Sequence, residues 1–286
     1  MKKYLKLMRV QHYLKNVLIF LPLVFSQNLF DIELLKKTIL GFFSFSILSS
    51  IVYIVNDIND VEKDRKHPKK CNRPIASGDI SVKSAYKLAI FILIIGIIFN
   101  FFACGFSIMS WVFIITYLII NFAYSMGLKN LPIIDVSILV SGFLIRVLYG
   151  SSITGIETSK WLYLTVIAMS FYLGLGKRRN EYQNQGDKTR NVLKYYNHDF
   201  LDKNMYMCLG LTIVFYALWC VDPVTIERYS NSNIVWTVPL IMLICMKYSL
   251  NVEGESDGDP VSVVLSDKVL IGMVSVKEST RSGSII

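Results

Sequence analysis

The sequence predicts an all-α, polytopic membrane protein of eight to nine transmembrane helices, and three observations predict it. Of 286 residues, 53% are hydrophobic and only 18% charged, with a mean hydropathy of +0.47; a soluble domain of this length carries more charge. Apolar stretches recur at close to the ~20 residues that a helix needs to cross a bilayer. Basic residues gather in every second connection between those stretches.

Taken in order, the apolar stretches lie near 17–30, 37–56, 84–103, 107–126, 131–153, 159–176, 204–221 and 234–250. Residues 1–14 mix Lys2, Lys3, Lys6 and Arg9 with Leu5, Leu7, Met8 and Tyr13, the pattern of a short basic helix lying along the membrane surface. The first apolar run is read as a span and not as a cleaved signal: Pro22 and Gln27 interrupt it and no small-residue cleavage site follows. A ninth run begins near 261, but Lys277, Glu278, Arg281 and several serines leave 261–286 an incomplete span. No hydrophilic stretch is long enough for a separate soluble domain, so residues 1–286 are expected to form one membrane-embedded domain.

Charge orients the spans. Lys2, Lys3, Lys6, Arg9 and Lys15 precede the first one, and the connections 57–83, 127–130 and 177–203 are rich in Lys and Arg. The connections near 31–36, 104–106, 154–160 and 222–233 hold few basic residues. The expectation is a multi-pass protein of the cell (inner) membrane, with its N-terminus and basic loops cytoplasmic. The net charge of +9 follows from this bias, so it is not read as nucleic-acid binding, and it suits anionic phosphates equally. Cys71, Cys104, Cys208, Cys220 and Cys245 are scattered, as are His12, His67 and His198, which argues against a zinc or redox centre.

The most informative stretch closes the second span. Asp57, Asp60 and Asp64 are spaced i, i+3, i+7, which on a helix places them on nearly one face. Carboxylates grouped at a membrane boundary are costly unless a cation neutralises them. Three such groups suit Mg²⁺ shared with substrate phosphates. A dense cationic stretch follows, with Arg65, Lys66, His67, Lys69, Lys70 and Arg73. Acid beside base suggests a metal-bridged phosphate or pyrophosphate site; a solvated charged loop obeying topology rules is the plain alternative.

Three further constellations share that side. Gln11, His12 and Lys15-Asn16 open the first span, where Lys15 is either a phosphate contact or an interfacial anchor. Tyr124-Ser125 and Leu128-Lys129 end the fourth, followed by Asp135 inside the fifth. An intramembrane Asp needs a partner, and Arg146 is the nearest cation along a similar face, so a purely structural Asp135–Arg146 pair competes with a site role. Lys177-Arg178-Arg179 with Glu181 ends the sixth span; Arg grips phosphate oxygens bidentately, though a stop-transfer cluster looks similar.

Asn56-Asp57-x-x-Asp60-x-x-x-Asp64, followed by Arg73-Pro74-Ile75-Ala76-Ser77-Gly78, resembles the UbiA superfamily of intramembrane prenyltransferases over roughly residues 5–270. Gln11-x-x-x-Lys15-Asn16, Tyr124-Ser125-x-x-Leu128-Lys129 and Gly176-Lys177-Arg178-Arg179-x-Glu181 are similar to its decaprenyl-phosphate phosphoribosyltransferase branch, as is the run from Glu253 to Asp267. The resemblance implies a UbiA-type helical bundle using Mg²⁺. Ordinary superfamily members carry a second aspartate-rich motif after the sixth span. Here only Glu181 and Asp187 stand beside the three cations, which favours a more phosphorylated donor.

The resemblance further implies transfer of 5-phosphoribose from phosphoribosyl pyrophosphate to a polyprenyl phosphate, for cell-envelope glycan precursors. Asp57, Asp60 and Asp64 would be the catalytic metal ligands. Lys70, Arg73, Lys129, Lys177, Arg178 and Arg179 would contact donor phosphates, and Lys15 the lipid phosphate. Asn56, Arg65, Tyr124, Asp135, Arg146 and Glu181 complete the expected substrate site. The partners are these two substrates and the lipid bilayer. The alternatives are a UbiA-type transfer of a prenyl group to an aromatic acceptor, or a transporter, against which the lack of an internal repeat counts.

Overall fold

A computed structural model describes residues 2–66, 70–185 and 191–253. Every regular element among them is helical. The helices are α1 (Lys2–Met8), α2 (Leu21–Phe25), α3 (Ile32–Asn59), α4 (Val61–Arg65), α5 (Val82–Cys104), α6 (Ile108–Met126), α7 (Ile134–Thr154), α8 (Lys160–Gln185), α9 (His198–Val221), α10 (Pro223–Tyr229) and α11 (Val238–Glu253), with 3₁₀ turns between several of them.

Among the described residues six segments are long and apolar enough to cross a membrane: α3, α5, α6, α7, α9 and Ser232–Asn251 around α11. The other two expected spans take different forms. The run near 17–30 is a 3₁₀ segment, Val10–Phe20, that passes into α2, and the whole apolar piece Val10–Phe25 is shorter than a span. Pro22 near the start of α2 removes a backbone donor and marks this change of helix type. The run near 159–176 is α8, which continues to Gln185 and so carries its polar Lys177–Gln185 end on the same helix. The surface helix expected over 1–14 ends at Met8, because Arg9 takes a left-handed backbone with φ +53°. The incomplete span 261–286 and the motif from Gly254 to Asp267 lie outside the described residues, as do His67, Lys69 and Asp187.

Helix ends follow their sequence signals. The Asp31 carboxylate accepts from the Glu33 and Leu34 amides (2.9 and 3.1 Å) to start α3, and Asn197 accepts from the Phe200 amide (2.7 Å) to start α9.

Within the chain, contacts divide into two compact units: residues 1–126 with 145–157, and residues 127–144 with 158 onward. The first unit is built on α3 against α5, with a core that includes Phe45, Leu48, Ile54, Ile92 and Tyr149. Its interior is unusually polar for an apolar segment, since Ser44, Ser46, Ser49 and Ser50 of α3 are all buried. Small residues let membrane helices approach closely, and each hydroxyl finds a backbone or side-chain partner; Ser44, for example, donates to the Gly96 carbonyl of α5 at 2.8 Å. At Gly150 a Cβ would lie 2.1 Å from the Ile19 carbonyl oxygen, so only glycine fits. Outward residues of α5 such as Phe91, Ile94, Ile98 and Phe102 are exposed, as a lipid-facing surface requires. The second unit packs α8 against α9, with Val136 and Val140 of α7, Tyr172 and Leu175 of α8, and Leu201 and Met205 of α9 at its centre.

Candidate functional site

In the first unit, the acidic motif straddles a helix break. Helix α3 ends at Asn59, Asp60 caps it with φ −94° and ψ 7°, and α4 starts at Val61. Asp57 and Asp64 are brought to one cation, whereas Asp60 sits beside Lys63 at 4.0 Å. Arg73 Nη1 donates to Asp57 Oδ1 (3.0 Å) and to Asp64 Oδ2 (2.6 Å), so these oxygens lie no farther apart than the sum of the two distances. Both carboxylates are 3% exposed. Arg9 Nη2 donates to the same Asp57 Oδ1 at 2.7 Å, and its guanidinium lies over the Tyr53 ring, 4.7 Å from the centroid. Two buried carboxylates are thus matched by two partly exposed guanidinium groups. Charge balance permits burial at a membrane boundary.

Among the described residues no three His, Cys, Asp or Glu side chains stand close enough together to hold a metal ion by themselves. The donor chemistry nonetheless suits Mg²⁺. Two hard carboxylate oxygens already converge on one cationic atom, and Mg²⁺ is commonly held by one or two carboxylates, with substrate phosphates and water completing its shell.

The other expected residues of this unit are spread more widely. Arg65 is exposed and bonds to Glu62 (2.8 Å), Lys70 is exposed on a 3₁₀ turn, and Asn56 and Tyr124 are half-buried on α3 and α6. Lys15 is half-buried on the 3₁₀ segment. Its neighbour Asn16 is buried, donating to Ser46 Oγ (2.8 Å) and accepting from Arg146 Nε (2.6 Å). Arg146 also donates to the Tyr117 hydroxyl (3.2 Å) and lies over the Phe45 and Tyr117 rings. Arg146 therefore ties three segments of the first unit together. Within the first unit Arg146 bonds to Asn16 and Tyr117, and within the second unit the Asp135 carboxylate is held by another guanidinium.

That guanidinium is Arg178. In the second unit Arg178 Nε donates to Asp135 Oδ2 at 2.5 Å, and Arg178 Nη1 donates to Glu181 Oε2 at 2.9 Å. Arg178 and Asp135 are both fully buried. The second oxygen, Asp135 Oδ1, accepts from the Tyr196 hydroxyl at 2.6 Å, and that hydroxyl in turn accepts from the Ile133 amide at 2.6 Å. Burial, and then the bond to the Asp135 carboxylate, push the Tyr196 phenol well above its ordinary value. Arg179 Nε donates to Asp202 of α9 at 2.5 Å, and Lys177 is half-buried on α8. Lys129 is half-buried on the 3₁₀ turn Leu128–Asn130, which follows Gly127 at φ +149°.

Three members of these clusters were absent from the expected site. Arg9 stands among the basic N-terminal residues, where the positive-inside pattern already accounts for its charge. Tyr196 and Asp202 carry no sequence signal, because nothing in their neighbourhood distinguishes them from loop and helix residues.

The sequence pattern of the UbiA prenyltransferase family matches residues 17–265. Decaprenyl-phosphate phosphoribosyltransferase of Corynebacterium glutamicum is 32% identical over 275 residues, covering 93% of this chain and 81% of its own length. The protein of the same name from Mycobacterium tuberculosis is 30% identical over 272 residues, covering 93% and 88%. Among solved structures, a UbiA homologue from Archaeoglobus fulgidus bound to DMAPP and Mg²⁺ superposes with a TM-score of 0.69 at 20% identity, covering 98% of this chain and 96% of that one. An all-helical membrane architecture, an Asn-Asp-x-x-Asp-x-x-x-Asp motif closing on Arg73, and a family match over most of the length lead to one conclusion: the chain belongs to the UbiA prenyltransferase family.

Proposed function

We propose that this protein transfers 5-phosphoribose from phosphoribosyl pyrophosphate to a polyprenyl phosphate, releasing pyrophosphate, in the synthesis of a cell-envelope glycan precursor. The observation that carries this is the likeness to the decaprenyl-phosphate phosphoribosyltransferases across 93% of the chain. The N-terminus and basic loops lie on the cytoplasmic side of the inner membrane, following the distribution of Lys and Arg.

In this reaction the bond from ribose C1 to pyrophosphate breaks, its electron pair leaving with pyrophosphate, and a phosphate oxygen of the lipid forms the new bond to C1. The acceptor is already anionic, so no strong general base is needed and the protein's task is positioning and electrostatics. Asp57 and Asp64, with Asp60 of the same motif, would hold Mg²⁺, which would supply positive charge for the departing pyrophosphate. Arg73 and Lys70 add cations on the same polar stretch, with Asn56 and Arg65 flanking it. In the second unit Lys129, Lys177 and Arg179 contact donor phosphates, and the buried Asp135–Arg178–Glu181 chain orders that helix end. Lys15 meets the lipid phosphate, and Tyr124 is a further substrate contact of the first unit.

The test is purified protein with Mg²⁺, polyprenyl phosphate and labelled phosphoribosyl pyrophosphate, with prenyl diphosphate and 4-hydroxybenzoate in parallel. Label entering the lipid phase is the expected result. Prenyl transfer without it would replace the phosphoribosyl function by an aromatic prenyltransferase one.

A further inference from the structure

Ile133 adopts φ +68°, a left-handed backbone that a β-branched residue rarely takes. Such a conformation persists only where its surroundings hold it, and it clusters where positioning matters. Ile133 is exposed, so core packing does not hold it. Its carbonyl accepts from the Ser137 amide at 2.8 Å as α7 begins, and its amide donates to the Tyr196 hydroxyl at 2.6 Å.

With one lone pair taken by that amide, the Tyr196 hydroxyl turns its own proton to Asp135 Oδ1 at 2.6 Å. The opposite oxygen of Asp135 takes Arg178 Nε at 2.5 Å. One hydroxyl therefore determines two things. It fixes the backbone at the end of the short loop 127–133, whose start is turned by Gly127 and whose middle carries Lys129. It also orients the carboxylate on which the Arg178 guanidinium rests. Tyr196 is itself rigidly placed. It is 5% exposed, its ring stacks on Phe200 with centroids 5.7 Å apart, and it immediately precedes the Asn197 cap of α9. Phenylalanine would fill the same space, so packing alone does not account for the hydroxyl.

We infer that Tyr196 is a positioning residue for the phosphorylated donor, aligning the Lys129 loop and the Arg178 guanidinium through a single hydroxyl. The inference rests on the phosphoribosyl function proposed above, in which Lys129 meets donor phosphates. It assigns Tyr196 no contact with substrate.

Two variants cut the link from opposite ends. Tyr196→Phe keeps the ring and removes the hydroxyl. Ile133→Pro removes the amide donor and forbids the positive φ, so it breaks the same link from the backbone side and resets the end of the loop. Each is measured in the labelled-donor transfer assay with both substrates varied, together with donor binding to the lipid-free protein by calorimetry. The expected result is a donor KM and Kd raised about tenfold, with kcat and the KM for polyprenyl phosphate within about twofold, the pattern of lost ground-state binding. A donor KM and Kd unchanged in either folded variant would overturn the inference, as would a fall in kcat with both KM values unmoved. If Tyr196→Phe does not fold, Ile133→Pro decides alone. Failure of the wild-type protein to transfer label from phosphoribosyl pyrophosphate would instead strike the proposed function itself.

Discussion

Arg73→Met tests the electrostatics of the acidic motif most directly. The substitution keeps a long apolar stem and removes a cation shared by Asp57 and Asp64, at 3.0 and 2.6 Å. Both carboxylates are 3% exposed, so neither can regain full hydration. Removing one partner of a buried ion pair costs about 3–5 kcal/mol. Arg73 is itself 25% exposed and Arg9 stays on Asp57 at 2.7 Å, which places the loss toward the lower end, at about 3 kcal/mol. For a chain of this size that is a melting temperature about 6–12 °C lower. The assay is thermal unfolding in detergent followed by circular dichroism, first with EDTA and then with Mg²⁺. A divalent ion that binds only the folded state at a hundred times its Kd returns about 2.7 kcal/mol. Mg²⁺ should therefore rescue the variant more than it stabilises the wild type, because the vacated carboxylates no longer carry Arg73. A variant as stable as wild type in EDTA, or one that Mg²⁺ does not help, would refute both the pairing energetics and the metal assignment.

Three other outcomes are expected. Asp57→Asn keeps the side-chain volume and should leave the protein inserted and monodisperse on gel filtration, while metal-dependent transfer falls by about 10²–10³-fold; full turnover would remove Asp57 from the metal site. Arg178→Lys cannot reach Asp135 and Glu181 together with one ammonium group and should cost about 3 kcal/mol of unfolding free energy. A double Asp135→Asn/Arg178→Met variant that is no more stable than Arg178→Met alone would show that the stranded carboxylate is not the cause. Gly150→Ala forces a methyl group against the Ile19 backbone and should lower stability by at least ~1–3 kcal/mol, read as a drop in the yield of folded protein in detergent.

Several elements were legible in the sequence because one dominant force specifies each of them locally. Apolar length marks α3, α5, α6, α7 and α9, since hydrocarbon admits no unsatisfied backbone and leaves the helix as the answer. The spacing of Asp57, Asp60 and Asp64 against the bilayer edge, with Arg73 close behind, announced a charged site, because buried charge is too costly to occur without function or partner. Other features were decided only in three dimensions. The division of labour among the aspartates depends on a helix break at Asp60 that turns Asp64 toward Arg73. Side-chain charge along one helix cannot say which partner Asp135 takes; within the second unit it is Arg178 of α8, while within the first unit Arg146 bonds to Asn16 and Tyr117. Arg9 on Asp57 and Tyr196 on Ile133 join residues 48 and 63 positions apart. Hydrophobic length is a one-dimensional property, so the chain by itself determined which segments are helical and apolar. Pairing of buried charges is a matter of a few ångströms in space, and only the tertiary structure decides it.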